Sequence, residues 1–248
     1  MTPTPTPDTP AGFDRRHAVT AEQEAAWVAA GSPQHGAETQ LIGTPPGYWV
    51  PQTTVGYAAV LDHGLREETR GIVIHVNDGW YHGTIGFFTN GLPEPYGSEG
   101  VGAHFEMGGQ SNALTGVYAD GPPYQFLPID AVAYHACDAN AFSVGIEHAG
   151  FGWSTAEWEA KTGRGHYNMI GNSAYRAAWI LRRYNLGPPK VSLTNPNTGN
   201  VWPHACGGAA WGGHQCPAST QNGVDYFPWE LWLKYCNTAY KTKWGGPV

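Results

Sequence analysis

The stretch GIVIHVNDG, residues 71–79, decides the fold of this chain. Its first six residues are apolar or glycine except for His75, a composition typical of a central strand covered on both faces. Asn77, Asp78 and Gly79 end the run, because these residue types favour turns. His75 therefore lies near the end of a buried strand, where functional side chains commonly reach solvent. Taken alone, this position suits a metal ligand and a packed core histidine equally well.

Further short apolar runs precede and follow this stretch. Each is bounded by Gly, Pro, Asp or Asn, which is the punctuation typical of strands. The runs are Thr54–Leu61, Ala103–Met107, Tyr124–Leu127 and Ser143–Glu147. Together with Gly71–Val76, they predict a mixed central β-sheet of about five to six strands.

Helical periodicity appears in the second half of the chain. Apolar residues recur at helical spacing from Ile170 to Tyr184, and Gly187-Pro188-Pro189 stops the pattern. Capping residues or amphipathic spacing predict further helices at about 20–30, from 154 onward and at about 228–240. Strands mixed with helices indicate a single α/β (α+β) domain in which helices flank the sheet.

Charge and composition exclude several classes of protein. The net charge of −7 and the lack of any basic tract argue against nucleic acid as a partner. No stretch approaches the ~20 apolar residues of a membrane span, and the N-terminus lacks the basic and apolar regions of a signal peptide. We therefore expect no membrane insertion and synthesis in a cytoplasm without an export signal. A reducing compartment would leave the four cysteines as thiols, so that at least one is free to bind metal.

A glycine-rich segment near the C-terminus holds two histidines and two cysteines. It reads VWPHACGGAAWGGHQCPAST, residues 201–220. Zinc prefers imidazole and thiolate ligands, and a catalytic zinc site uses three protein ligands and one open position. The segment lacks the paired CxxC of a zinc finger, which disfavours a closed structural site. The alternative is a glycine loop with incidental histidines.

These blocks resemble, in the same order, the N-acetylmuramoyl-L-alanine amidases of the type that also includes phage amidase lysozymes and the peptidoglycan-recognition proteins. The resemblance covers roughly Gly71 to Pro217. It runs through GIVIHVNDG, GAHFEM, PYQFLPIDAVAYHACDANAFSVGIEHAG and the closing His-and-Cys loop that ends in CP. No single block is decisive, but their common order is specific.

The resemblance implies one Zn2+ per chain. Carried over by position, His75, His204 and Cys216 would be the zinc ligands. Glu147 would hold the zinc-bound water and take its proton, and His214, two residues before the cysteine, would donate a hydrogen bond to the developing oxyanion. The zinc site would lie at one end of the sheet.

Two departures from the family pattern leave alternatives open. His204 and Cys216 are twelve residues apart, which is longer than expected. Either an insertion rich in Gly and Ala loops out, or His214 itself takes the metal. Some relatives also carry a Tyr where this chain has Ala103, so Glu147 would do the base work alone.

Four further residues are candidates for substrate binding. His135 matches a block that lines the substrate groove in the family, and Asn140 would shape the turn that follows. His104 would be a groove residue or support the ligands by its position. Trp80 can stack on sugar or peptide faces, although aromatic residues at this density more commonly serve packing. The remaining cysteines are expected to be buried free thiols; they are Cys137, Cys206 and Cys236.

The implied reaction is hydrolysis, by zinc-activated water, of the amide bond between N-acetylmuramic acid and the L-alanine of the stem peptide. Two rivals remain: a module that recognises peptidoglycan without cutting it, and a zinc peptidase that cuts within the stem peptide. The partner is peptidoglycan or muropeptide, and we expect a monomer. A phage endolysin that acts on the bacterial cell wall after release from the host cytoplasm fits best. A cytoplasmic recycling amidase and an exported enzyme with a trimmed signal are alternatives.

The chain is expected to divide around one catalytic domain. Residues 1–12 form a disordered Thr/Pro tail, because their repeat supports neither helix nor ladder. An N-terminal extension at 13–60 packs on the core, the amidase catalytic domain covers 61–240, and a C-terminal tail covers 241–248.

Overall fold

The structure is a computed structural model. It describes residues 48–49, 65–77, 79, 84, 88, 102–108, 124–127, 129–150, 156–158, 169–217 and 227–241. The strands are β1 (Tyr48–Trp49), β2 (Gly71–Ile74), β3 (Phe105–Met107), β4 (Tyr124–Gln125), β5 (Ser143–His148) and β6 (Val201–Pro203). The helices are α1 (Met169–Arg183) and α2 (Trp229–Lys241), and two 3-10 helices cover Cys137–Ala141 and His204–Trp211.

The six strands form one mixed sheet in the order β1-β4-β3-β5-β2-β6. The neighbouring strands β3, β5, β2 and β6 run parallel to one another, whereas β4 is antiparallel to β3. Four of the six strands have three or more residues. The predicted mixed sheet flanked by helices is therefore confirmed. The predicted strand at 54–61 and the helix at 20–30 lie outside the described residues.

The apolar run of β2 is explained by burial on both faces. Ile72 and Ile74 belong to the large core, which also contains the buried residues of α1 and α2. Val73 points the other way and packs in a smaller cluster with Trp202. Because side chains alternate along a strand, His75 lies on the face of Val73, away from the two long helices.

Both long helices occur where spacing predicts them. α1 buries the predicted apolar face in the main core. α2 contributes the buried side chains of Trp232 and Cys236 to the same core. Residues 156–158, inside the helix predicted from 154, are helical as well. Within the described part of the chain, no helix is long and apolar enough to cross a lipid bilayer.

One prediction about the cysteines is wrong. All four are free thiols, and Cys206 and Cys236 are buried as expected. Cys137 is exposed, because it begins a short 3-10 helix at the surface with a positive φ of 43°.

A buried chain of hydrogen bonds ties both helices to β5. Trp232 Nε1 donates to Ser173 Oγ at 2.9 Å, and Ser173 Oγ lies 2.7 Å from His148 Nε2. His148 Nδ1 lies 2.8 Å from the carbonyl oxygen of His75, which can only accept. Neutral His148 therefore carries its proton on Nδ1 and accepts the Ser173 hydroxyl proton at Nε2.

We expect Ser173→Ala to lower the free energy of unfolding by about 2 kcal/mol or more. The change leaves His148 Nε2 and Trp232 Nε1 without their buried partner, and each unsatisfied group costs about 1–3 kcal/mol. Urea denaturation measures the difference. Thr194→Ala, in an exposed loop, is the control and should shift stability by less than about 0.5 kcal/mol. Equal stability of the two variants would contradict the prediction.

Candidate metal centre

Three parallel strands position the candidate site at one end of the sheet, where their carboxyl ends meet. His75 directly follows β2, His204 directly follows β6, and Glu147 is near the end of β5. β2 is paired with both other strands in parallel, so their carboxyl ends meet at the same edge. Side chains far apart in the sequence thus converge.

His75, His204 and Cys216 form a compact group of potential ligands. Their ligand atoms all lie within 4.8 Å of one another. Cys216 Sγ is 3.6 Å from His204 Nδ1 and 3.9 Å from His75 Nδ1. Tetrahedral zinc with bonds of about 2.0 Å to nitrogen and 2.3 Å to sulfur separates its ligand atoms by roughly 3.3–3.6 Å. The separation between Cys216 and His204 matches this range and the other separations are longer, so two imidazoles and one thiolate fit a zinc ion once the side chains close around it.

His204 is oriented by its own loop. Its Nε2 lies 2.6 Å from the carbonyl oxygen of Trp211, so Nε2 carries the proton and Nδ1 keeps a lone pair facing Cys216. Burial, followed by the nearby His214, lowers the pKa of His204 to about 4. The ring is therefore neutral at physiological pH, as a metal ligand must be.

His75 presents the same nitrogen to the centre. The side chain is buried, and burial, followed by the neighbouring His204, holds its pKa well below the usual range. Its Nδ1 faces Cys216, whereas its Nε2 lies 3.0 Å from Nδ1 of His135.

The long gap between His204 and Cys216 is folded compactly. Residues 204–211 form a 3-10 helix with a kink at Gly208, where φ is 54° and ψ is −138°. A Cβ at Gly207 would lie 1.9 Å from the Trp211 ring, so the return path requires glycine there. The amide of Ala205 donates to the carbonyl of Cys216 at 2.9 Å and closes the loop. The Gly- and Ala-rich segment thus brings the cysteine back to His204.

His214 lies beside this group rather than within it. It is exposed, and its ring stacks on His204 with centroids 4.7 Å apart and an interplanar angle of 15°. The geometry therefore favours His204 over His214 as the middle ligand.

Glu147 provides a carboxyl group next to the candidate ligands. Its Oε1 is 3.7 Å from His75 Nδ1, and its Oε2 is buried with no hydrogen-bond partner in the described structure. Burial raises the pKa of Glu147 to about 8. A divalent cation at the three ligands would favour the carboxylate and lower this pKa. Glu147 Oε2 is therefore a buried acceptor with unused hydrogen-bonding capacity beside His75.

The predicted substrate residues occupy different depths. His135 is partly exposed, and its ring lies between those of His75 and His104, with centroids 5.1 Å and 5.9 Å away. Asn140 Oδ1 accepts from the amides of His135 and Ala136 and so shapes the turn. His104 has no exposed surface and accepts the Gly145 amide at Nδ1, so it lies behind His135. Trp80 lies outside the described residues.

Sequence reasoning missed a second carboxylate on the same face of the sheet. Glu106 of β3 pairs in register with Glu147 of β5 and is fully buried. It accepts a hydrogen bond from Asn77 Nδ2 at 2.9 Å. The sequence did contain a signal for this carboxylate, because GAHFEM places the charged Glu106 inside an apolar run.

Comparison with known proteins identifies the family of this chain. A family model described as N-acetylmuramoyl-L-alanine amidase matches residues 65–219, well over half of the chain. A search of curated proteins finds no match.

Solved structures show limited similarity. Staphylococcus aureus hydrolase AmiA in complex with its ligand is 17% identical, with 77% of this chain and 80% of that chain covered and a TM-score of 0.47. A mutant endolysin from Bacillus subtilis is 18% identical, with 78% and 94% covered and a TM-score of 0.42. The Ph2119 endolysin from Thermus scotoductus MAT2119 bacteriophage Ph2119 is 15% identical, with 70% and 88% covered and a TM-score of 0.43. These identities and TM-scores are too low for the solved structures to indicate a function. On the family match, the chain belongs to the N-acetylmuramoyl-L-alanine amidases, enzymes that cleave the amide bond between N-acetylmuramic acid and L-alanine in peptidoglycan.

Proposed function

We propose that this amidase works with one zinc ion held by His75 Nδ1, His204 Nδ1 and Cys216 Sγ. The observation that carries the proposal is the convergence of these atoms within 4.8 Å, where the parallel strands β2 and β6 end and the loop after β6 returns. When bound, the ion supplies Lewis-acid activation, which lowers the pKa of water towards ~7 and polarises the lactyl carbonyl.

Glu147 is the proposed general base. Its buried, unpartnered Oε2 is an acceptor for a proton of the attacking water, and the same carboxyl then donates to the leaving amine of L-alanine. Ala103 has no hydroxyl and is fully buried, so it cannot share this work. Glu147 therefore takes both proton transfers.

His214 is the proposed donor to the oxyanion. It is exposed at the rim of the site and stacks on the ligand His204. An imidazole N–H held there would stabilise negative charge on the carbonyl oxygen. We assign substrate contacts to the partly exposed His135 and Asn140, and to Trp80, with His104 supporting His135 from behind.

We propose a phage endolysin, on the strength of the blocks shared with phage amidase lysozymes, with residues 61–240 as the catalytic domain. Lysis of intact bacterial walls, measured as a fall in turbidity, is the expected result. An enzyme that cuts only soluble muropeptides would instead be a recycling amidase.

Metal removal should abolish the reaction reversibly. We expect one zinc per chain by elemental analysis, loss of activity on dialysis against a chelator, and recovery on addition of zinc. Analysis of digested peptidoglycan should show a new free amino group on L-alanine and intact muramic acid. If the protein cleaved peptidoglycan as an amidase without holding stoichiometric zinc, the zinc proposal would be refuted.

Each rival function predicts a different result. A recognition module would bind muropeptide, release no product and hold no stoichiometric zinc. A stem peptidase would produce new ends between later residues of the peptide. Cys216 is present and faces two histidines, which favours catalysis over recognition alone.

A further inference from the structure

We propose that His135 is a positioning residue that fixes which nitrogen of His75 is available to a metal. The inference rests on the proposed zinc function and deepens it. It depends on a line of contacts that starts at a backbone carbonyl on the 3-10 helix 137–141 and ends at His75.

The first contact joins Ser143 to the backbone carbonyl of Ala139. Its Oγ lies 2.6 Å from the carbonyl oxygen of Ala139, which has no proton to give, so the hydroxyl donates there. The hydroxyl has one proton only. Towards His135 Nε2, at 3.4 Å, the same oxygen can therefore act only as an acceptor.

This direction sets the state of both imidazoles. His135 carries its proton on Nε2, and its Nδ1 is left as an acceptor 3.0 Å from His75 Nε2. His75 must then donate from Nε2. Its Nδ1, which faces Cys216 Sγ at 3.9 Å, keeps the lone pair that a metal requires.

The ring of His135 packs closely against Gly145. A Cβ on Gly145 of β5 would lie 2.7–2.9 Å from three ring atoms, so only glycine allows the ring to rest on the strand. Asn140 Oδ1 also fixes the backbone at this position, because it accepts hydrogen bonds from the amides of His135 and Ala136. The ring is therefore fixed in place before any ligand arrives.

The two histidine ligands obtain their orientation differently. His204 donates directly to the Trp211 carbonyl, which can only accept, so its tautomer needs no further support. His75 contacts another imidazole, and a contact between two imidazoles can run in either direction. Ser143 and Ala139 remove that ambiguity.

The test is zinc affinity, measured by competition with a chromophoric chelator, together with the absorption spectrum of the Co2+-substituted enzyme. His135→Ala should weaken zinc binding by about 10–100-fold, the usual effect of losing the partner of a metal-binding histidine. It should also change the Co2+ ligand-field bands. His135→Asn, whose Oδ1 can accept from His75 Nε2, should recover most of the affinity and the wild-type spectrum. Ser143→Ala should cost roughly two- to tenfold, as expected for one hydrogen bond.

Asp138→Ala is the matched control, because Asp138 is exposed on the same 3-10 helix and takes no part in these contacts. It should bind zinc like the wild type. If His135→Ala does not fold, His135→Asn and Ser143→Ala decide, and wild-type affinity in Ser143→Ala would overturn the inference.

The outcomes separate this inference from the proposed function. Wild-type zinc affinity and Co2+ spectrum in His135→Ala, with only a raised KM, would leave His135 with its proposed substrate contact and no positioning role. That result would overturn this inference and leave the proposed function standing. A wild-type enzyme that binds no zinc would overturn the proposed function as well.

Discussion

Cys216→Ala is expected to remove zinc and amidase activity together. The thiolate is the only negatively charged member of the group, and its sulfur lies 3.6 Å and 3.9 Å from the two imidazole nitrogens. Without it, two neutral histidines remain, which is fewer than the three protein ligands of a catalytic zinc site. We expect kcat/KM to fall at least about a thousandfold, because the nucleophile would again be water with a pKa near 15.7. Elemental analysis and product release measure the two losses.

Cys137→Ala is the matched control for this prediction. Cys137 is an exposed thiol close to the same loop, since a Cβ on Gly212 would lie 3.2 Å from its Sγ. Its replacement should leave zinc content and turnover unchanged. Full zinc in Cys216→Ala, combined with loss of zinc in His214→Ala, would show that the wrong residue of the loop has been assigned to the metal.

The sequence predicts the sheet, both long helices and the candidate ligands because each depends on a local signal. The apolar run before His75 marks a buried strand, and the stripe from Ile170 marks a helix. Strand order carries no such signal. It brings His75 and His204 to one edge through pairings between segments more than a hundred residues apart.

The path from His204 to Cys216 could not be predicted for a different reason. Twelve residues rich in glycine have many accessible conformations. The one adopted is selected by the close approach of Gly207 to Trp211 and by the kink at Gly208. Both are tertiary constraints. The exposure of Cys137 escaped prediction likewise, because a cysteine's surroundings are set by the fold and not by its neighbours in sequence.

The contacts of His135 show what pattern reasoning omits. Family resemblance assigns it to a substrate groove, whereas the structure also places its Nδ1 on a proposed metal ligand. The direction of that hydrogen bond depends on Ser143, which appears in the sequence only as the first residue of a strand. Buried polar chains of this kind follow from three-dimensional pairing alone.

Glu147→Gln should separate catalysis from metal binding. The amide keeps the shape of the side chain but can neither take a proton from water nor pass one to the leaving amine. We therefore expect a loss of about 10²–10⁴-fold in kcat, the usual contribution of a general acid or base. Zinc content should stay at one per chain, since Glu147 Oε1 lies 3.7 Å from His75 but is not needed to complete the three ligands.

Glu106→Gln tests whether the proton transfers belong to Glu147 in particular. The two carboxylates are paired in register on adjacent strands, so both lie on the same face of the sheet. Glu106 is fully buried and bonded to Asn77, whereas Glu147 Oε1 lies 3.7 Å from Nδ1 of the candidate ligand His75. We expect Glu106→Gln to keep zinc and most of the turnover. If Glu106→Gln lost activity with zinc in place and Glu147→Gln did not, the base would be the carboxylate on β3.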